Sequence, residues 1–286
     1  MSPAHHVATG LPTAAAHRHF SSLEALRFLA FFKVFLLHLP LAANLPVLDY
    51  LRQGGGIGVQ FFFVLSGFLI TYLLVADKQA HGQVRVGRFL VRRVLRIWPL
   101  FYALVGLAFL LKYAAGGRAG VGYLPDWRFS FTFLENYKML LEDSFPRMPP
   151  LPVFWSLCIE EHFYLVWVLV AWLLPLRRFP VFLLACLPLA LGFRVLEPQL
   201  LANVRIDTND LLTHLDVFAV GGLLGYWVAV DYAGFSARLN GLALPARYLF
   251  IGLVGLVVVF QPTVLPNVRG SWFYVVRPLV VAGLFG

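Results

Sequence analysis

The sequence predicts an all-α, polytopic membrane helix bundle with about eight spans. Three observations carry that expectation. First, 60% of the 286 residues are hydrophobic and only 13% are charged, against roughly 25% charged in an ordinary soluble domain. Too little polar surface is present to cover that apolar volume in water. Second, the apolar residues fall in long runs, and about 20 of them cross a hydrocarbon core of about 30 Å. Third, the 23 Lys and Arg residues outnumber the 14 acids and flank those runs, as membrane orientation requires. The basic excess therefore reads as topology and not as nucleic-acid binding. The same balance excludes a disordered chain, a collagen and a disulfide scaffold.

Residues 1–20 are small and polar, with His5, His6, His17 and His19. They read as a flexible cytosolic tail, without the small-residue cleavage site of a signal peptide. Spans are expected near 23–44, 57–76, 97–115, 154–176, 179–196, 211–230, 246–261 and 272–286. They should be helical, because hydrocarbon leaves no partner for stray amide groups. The weaker stretch 128–141 carries Glu135 and Lys138 and reads as an interfacial or re-entrant helix. The loop 77–97 holds Lys78, Arg85, Arg88, Arg92, Arg93 and Arg96 against the single acid Asp77. It is expected in the cytosol, together with the N-terminus. Gly54-Gly55-Gly56, a tight turn for close helix approach, and the segment 116–153 then lie outside. Residues 21–286 form one membrane domain. It is expected to be incomplete at the C-terminus, since the last run reaches Gly286 while still apolar. Cys158 and Cys186 sit in apolar runs as buried small hydrophobes, and no Cys/His cluster suggests a metal.

Ionisable groups within the spans are costly, so each is a candidate for function. The first span supplies Arg27, Lys33 and His38. Arg27 and His38 are separated by three turns, so they project from a similar face, about 16 Å apart. Neutral imidazole is a suitable general base, though a packed histidine bonded to a carbonyl looks the same in sequence. In the fourth span Ser156, Glu160 and Tyr164 recur at i, i+4 and i+8 and share one stripe. Glu160 is expected to face a polar interior at a depth like that of His38, where a carboxylate orients an imidazole and stabilises its cation. Arg92, Arg93 and Arg96 cluster on an amphipathic surface helix. Guanidinium forks suit a phosphorylated ligand, and lipid headgroups are the alternative partner. Asp216, beside His214, is a further polar contact or an anchor at the outer surface.

Four segments in this order carry a resemblance. They are Leu23-Glu24-Ala25-Leu26-Arg27 through His38; Gly58-Val59-Gln60-Phe61-Phe62-Phe63-Val64-Leu65-Ser66-Gly67-Phe68-Leu69-Ile70-Thr71; Phe89 through Pro99; and Trp155 through Leu165. Together they resemble the acyltransferase-3 family of integral-membrane O-acyltransferases. Gln60, Cys158, His162 and Lys33 depart from the family pattern. The resemblance implies a core of about ten spans in a bacterial inner membrane. It also implies transfer of an acyl group, often acetyl, from acyl-coenzyme A to a hydroxyl of an envelope or exported carbohydrate. Acyl-coenzyme A would be a co-substrate, with no permanently bound cofactor. Membrane lipids and a glycan acceptor would be the other partners. His38 would be the general base, supported by Glu160, and an acyl-imidazole on His38 is a second route. Arg27, Arg92, Arg93 and Arg96 would bind the donor, with Ser66, Trp155, Ser156, Tyr164 and Asp216 supporting the site. The competing readings are a transporter or flippase, which would need two similar halves, and a non-catalytic shortened relative.

Overall fold

A computed structural model describes residues 21–38, 55–114, 122–204, 209–264 and 271–285. The expected tail at 1–20, the end of the first expected span and Gly286 lie outside the described residues. The described chain is helical: α1 (Ser21–His38), α2 (Gly56–His81), α3 (Val86–Ala114), α4 (Trp127–Ser130), α5 (Glu135–Glu142), α6 (Trp155–Leu173), α7 (Phe179–Leu200), α8 (Leu211–Val230), α9 (Tyr232–Gly241), α10 (Leu244–Val264) and α11 (Trp272–Phe285).

The centre of the bundle is α2 packed on α8. Glycine makes this approach possible. A Cβ on Gly67 would collide with the Phe218 carbonyl, and one on Gly221 or Gly225 would collide with the carbonyls of Val64 or Phe68. Gly221 and Gly225 are four residues apart, the small-xxx-small spacing by which membrane helices pack closely. Beside this seam, Phe218 stacks on Phe63 at 4.7 Å and on Phe163 at 4.1 Å, joining α2, α6 and α8. The Trp167 indole N–H is satisfied by Thr71 Oγ1 at 2.9 Å.

Five helices are long and apolar enough to cross a membrane: α2, α3, α6, α8 and α7 with the short turn before it. A sixth arises if α9 and α10, bent by 96° at their junction, count as one. Among the described residues this replaces the eight expected spans. The first expected span carries Glu24, Arg27 and Lys33 within the 18 residues of α1. The last is only 14 residues long, short of the length that crosses.

Two other expectations change. The arginine cluster is not a separate surface helix. It forms the first turns of α3, which continues through Pro99 for 29 residues. At 1.5 Å per residue that helix is about 43 Å long, enough to carry its basic end beyond the hydrocarbon. Residues 128–141 form no span but two short helices of 4 and 8 residues. They are pinned by fully buried Glu135, which accepts from Tyr123 Oη at 2.5 Å and Ser130 Oγ at 2.6 Å. Burial pushes the Glu135 carboxyl above its ordinary range.

Polar side chains fix the helix ends. Lys78 donates to the Ala171 and Leu174 carbonyls at 2.6 Å and to that of Trp172 at 3.3 Å. These are orphan acceptors at the C-terminus of α6. Arg85 donates to Asp77 through its backbone N–H at 2.8 Å and through Nε at 2.9 Å, clamping the turn between α2 and α3.

Candidate active site

The first turns of α6 place the central carboxylate. Glu160 Oε1 accepts from Ser66 Oγ on α2 at 3.2 Å, and Oε2 accepts from Tyr164 Oη one turn along α6 at 3.1 Å. The i, i+4 stripe thus works as expected for Tyr164. Ser156 instead donates to the Val153 carbonyl at 3.3 Å, closing the turn before the helix.

Two arginines approach from other helices. The Arg93 guanidinium of α3 lies 5.6 Å from the Tyr164 ring centroid and 5.4 Å from that of Phe89. Its Nε is buried and has no hydrogen-bond partner among the described residues. Arg27 of α1 lies within Coulombic range of Glu160, Tyr164 and Arg96. Neighbouring Glu161 accepts from Trp98 Nε1 at 3.3 Å. Carboxylates and guanidiniums taken out of water need such partners. The group is mixed in charge and draws on α1, α2, α3 and α6. Ser66 lies eleven residues before Asp77, about 16 Å along α2. The carboxylate therefore sits roughly halfway through the bundle.

His38 lies elsewhere. It is the last residue of α1, exposed, and its Nδ1–H donates to the Val34 carbonyl at 2.9 Å. That bond assigns the proton to Nδ1 and leaves Nε2 as the basic nitrogen. Close docking of α1 on α2 sets its position. A Cβ on Gly58 would approach the Ala30 carbonyl to 2.7 Å, and one on Gly55 would meet Leu37 Cβ at 2.5 Å. Arg27 is the α1 residue that interacts with Glu160, and His38 stands eleven residues, about 16 Å, further along α1. The sequence expectation of a common depth for His38 and Glu160 fails for a definite reason. Both residues stand in apolar runs, and such runs do not fix how two helices align along the bundle.

The remaining candidates disperse. Arg92 and Arg96 are exposed. Arg92 lines a small cleft with Arg85, Arg88, Arg93, Asp77 and Phe89. Trp155 is the first residue of α6, its ring 6.3 Å from that of His214. Asp216 belongs to a different network. It pairs with Arg194 of α7 through Oδ1 at 3.0 Å and Oδ2 at 2.5 Å, and both side chains are buried. Arg194 also donates to the carbonyls of Thr213 at 2.6 Å and Val275 at 2.8 Å, tying α7, α8 and α11 together. Sequence reasoning passed over Arg194. Its signal was a lone arginine in the apolar run Leu189–Leu196, where a membrane cation demands an anion. Trp98 was also missed, and nothing in its sequence context points to Glu161.

The profile of an acyltransferase domain, the acyltransferase-3 family, matches residues 20–286. A peptidoglycan O-acetyltransferase of Listeria monocytogenes is 32% identical over 165 residues, 54% of this chain and 24% of that protein. A provisionally named peptidoglycan O-acetyltransferase of Bacillus subtilis is 34% identical over 162 residues, 53% of this chain and 23% of the relative. A provisionally named O-acetyltransferase of Staphylococcus aureus is 30% identical over 176 residues, 56% and 26% of the two chains. The chain thus spans about a quarter of the length of these curated relatives. No solved structure matches it. With a profile that covers nearly the whole chain and several membrane-capable helices, this integral membrane protein belongs to the acyltransferase-3 family.

Proposed function

We propose that this chain is the membrane core of an O-acyltransferase that moves an acyl group, acetyl foremost, from acyl-coenzyme A to a hydroxyl of an envelope glycan. Peptidoglycan is the acceptor named for two of its relatives. The observation that carries the reading is Glu160, held mid-bundle by Ser66 and Tyr164 with Arg27 and Arg93 around it. A structural helix contact needs no such convergence from four helices.

The basic cleft beside Arg92 and Arg93 suits the phosphates of a coenzyme A nucleotide, because guanidinium forks bind phosphate oxygens in pairs. The phosphates reach inward to Arg93 and Arg27, and the pantetheine arm runs from there along α1 toward the outer end, so that the thioester comes to lie at His38, about 16 Å on. Nε2 of His38 takes the proton from the acceptor hydroxyl. The hydroxyl oxygen bonds to the thioester carbonyl carbon. The C–S bond breaks, and the departing thiolate takes the proton from the imidazolium. Glu160 has a different task from the one its sequence position suggested. Together with Glu161, which also faces Arg93, it offsets and orients Arg27 and Arg93 so that the donor channel keeps its shape. The basic cleft faces the bacterial cytosol, and His38 faces the outer side of the inner membrane.

The test is transfer of labelled acetyl from acetyl-coenzyme A to cell-wall glycan by the purified protein in proteoliposomes. His38→Ala is expected to lower transfer about 100-fold or more, the usual contribution of a general base, with thermal unfolding unchanged. Wild-type transfer by His38→Ala would overturn the assignment. Glycan movement without any coenzyme A requirement would favour a flippase instead.

A further inference from the structure

We infer that Trp155 and His214 form the carbohydrate subsite of the acceptor, about one and a half helical turns outward from the Glu160 group. The inference rests on the acyl-transfer reading above and names where its acceptor binds. His214 lies on the first turn of α8, and its ring stands edge-on to Phe63 at 5.2 Å and 6.3 Å from Trp155. Its Nδ1–H donates to the Asp210 carbonyl at 3.0 Å, with Thr213 Oγ1 at 2.8 Å. The carbonyl only accepts, and the Thr213 hydroxyl donates to that same carbonyl at 2.9 Å, so Nδ1 is the donor and Nε2 is left as an acceptor. His38 uses the same device on the Val34 carbonyl. Two histidines at the outer end of the bundle thus hold Nδ1 against the carbonyl four residues back.

His214 takes no part in the ion pair of its own helix, which Asp216 makes with Arg194. His214 and Trp155 keep partial exposure although they lie at the junction of α2, α6 and α8. The aromatic stack of Phe63, Phe163 and Phe218 closes the seam beneath them. Trp155 is five residues from Glu160, about 7.5 Å of helix rise.

An indole face beside an imidazole acceptor matches the chemistry of a pyranose. The ring's C–H face packs on the apolar indole, and a hydroxyl at its edge donates to Nε2. An amino-acid or phosphate acceptor would need a cation or a carboxylate at this position, and among the described residues the charged side chains beside His214 are spent. Arg194 and Asp216 bind each other, and Asp210 accepts from the Thr213 backbone N–H at 2.8 Å as the cap of α8.

The test uses chitopentaose as acceptor probe and acetyl-coenzyme A as donor, with full-length protein in proteoliposomes. His214→Ala and Trp155→Ala are expected to raise the acceptor KM about tenfold, the loss of one hydrogen bond or stacking face, with kcat and acetyl-coenzyme A KM near wild type. His214→Gln is expected to restore much of the acceptor KM, because its amide oxygen also accepts. An unchanged acceptor KM in folded variants overturns the subsite. So does a fall in kcat at unchanged KM that Gln does not rescue. Calorimetric titration of chitopentaose without donor separates the two readings. Binding that His214→Ala abolishes, in a protein that transfers nothing, keeps the subsite and overturns acyl transfer. Transfer with no loss in either variant does the reverse, and absence of binding to the wild type overturns the subsite.

Discussion

At the scale of single residues, the buried charges divide into two groups with different work. Glu160 meets hydroxyls and distant guanidiniums, an arrangement open to a ligand. Arg194 and Asp216 meet each other directly at 2.5 and 3.0 Å and are sealed. A sealed pair is costly to break and cheap to replace. Arg194→Met or Asp216→Leu alone is therefore expected to cost about 3–5 kcal/mol, because each leaves an unpaired buried charge. The double variant should recover most of that loss in a thermal or denaturant cycle. Additive losses would contradict this account of the pair. Legibility followed the same division. The stripe Glu160–Tyr164 was visible because it lies on one helix at i, i+4 spacing. The Arg194–Asp216 pair joins two helices across 22 residues, and no local pattern relates them. His38 and Glu160 were both legible as polar residues in apolar runs. Their separation was not, since depth depends on where the polypeptide enters the bilayer.

Single elements show why apolar runs give helices but not always their ends. The run expected at 211–230 is the helix Leu211–Val230, bounded by the Asp210 capping box. The run expected at 97–115 is instead Val86–Ala114, because charge counting cut off a basic segment that the helix simply extends out of the membrane. Packing between elements was partly legible. The glycines after residue 53 do allow α1 to dock on α2, through Gly55 and Gly58. The Gly221–Gly225 pair that sets the α2–α8 distance went unread, although its spacing is a known packing signal. Gly221→Leu is expected to destabilise the protein by about 1–3 kcal/mol through overpacking, seen as a lower unfolding temperature in detergent. Gly252→Leu, where nothing lies within 4 Å of the added Cβ, should be nearly neutral. Equal effects would show that the α2–α8 seam is not the tight contact described here.

For the whole molecule, composition predicted an all-helical membrane protein, and the described residues are that. Among the described residues five helices, or six with the bent pair, have the length and composition of a span against the eight expected, and the first expected span ends outside those residues. The topology makes a direct prediction. Gln83 lies in the turn after α2 and Leu141 on α5, both exposed, while native Cys158 and Cys186 are buried. In intact cells Leu141→Cys should react with an impermeant maleimide, and Gln83→Cys only after lysis. The reverse pattern would invert the assignment of donor and acceptor sides. The central claim is that a mid-bundle carboxylate keeps the arginine-lined path open between those two sides. Glu160→Gln tests it most directly, since it preserves shape and removes charge. The rate of labelled acetyl transfer from acetyl-coenzyme A to glycan in proteoliposomes is expected to fall at least about 100-fold, with the folded fraction unchanged. A Glu160→Gln protein that transfers acetyl at the wild-type rate would contradict it.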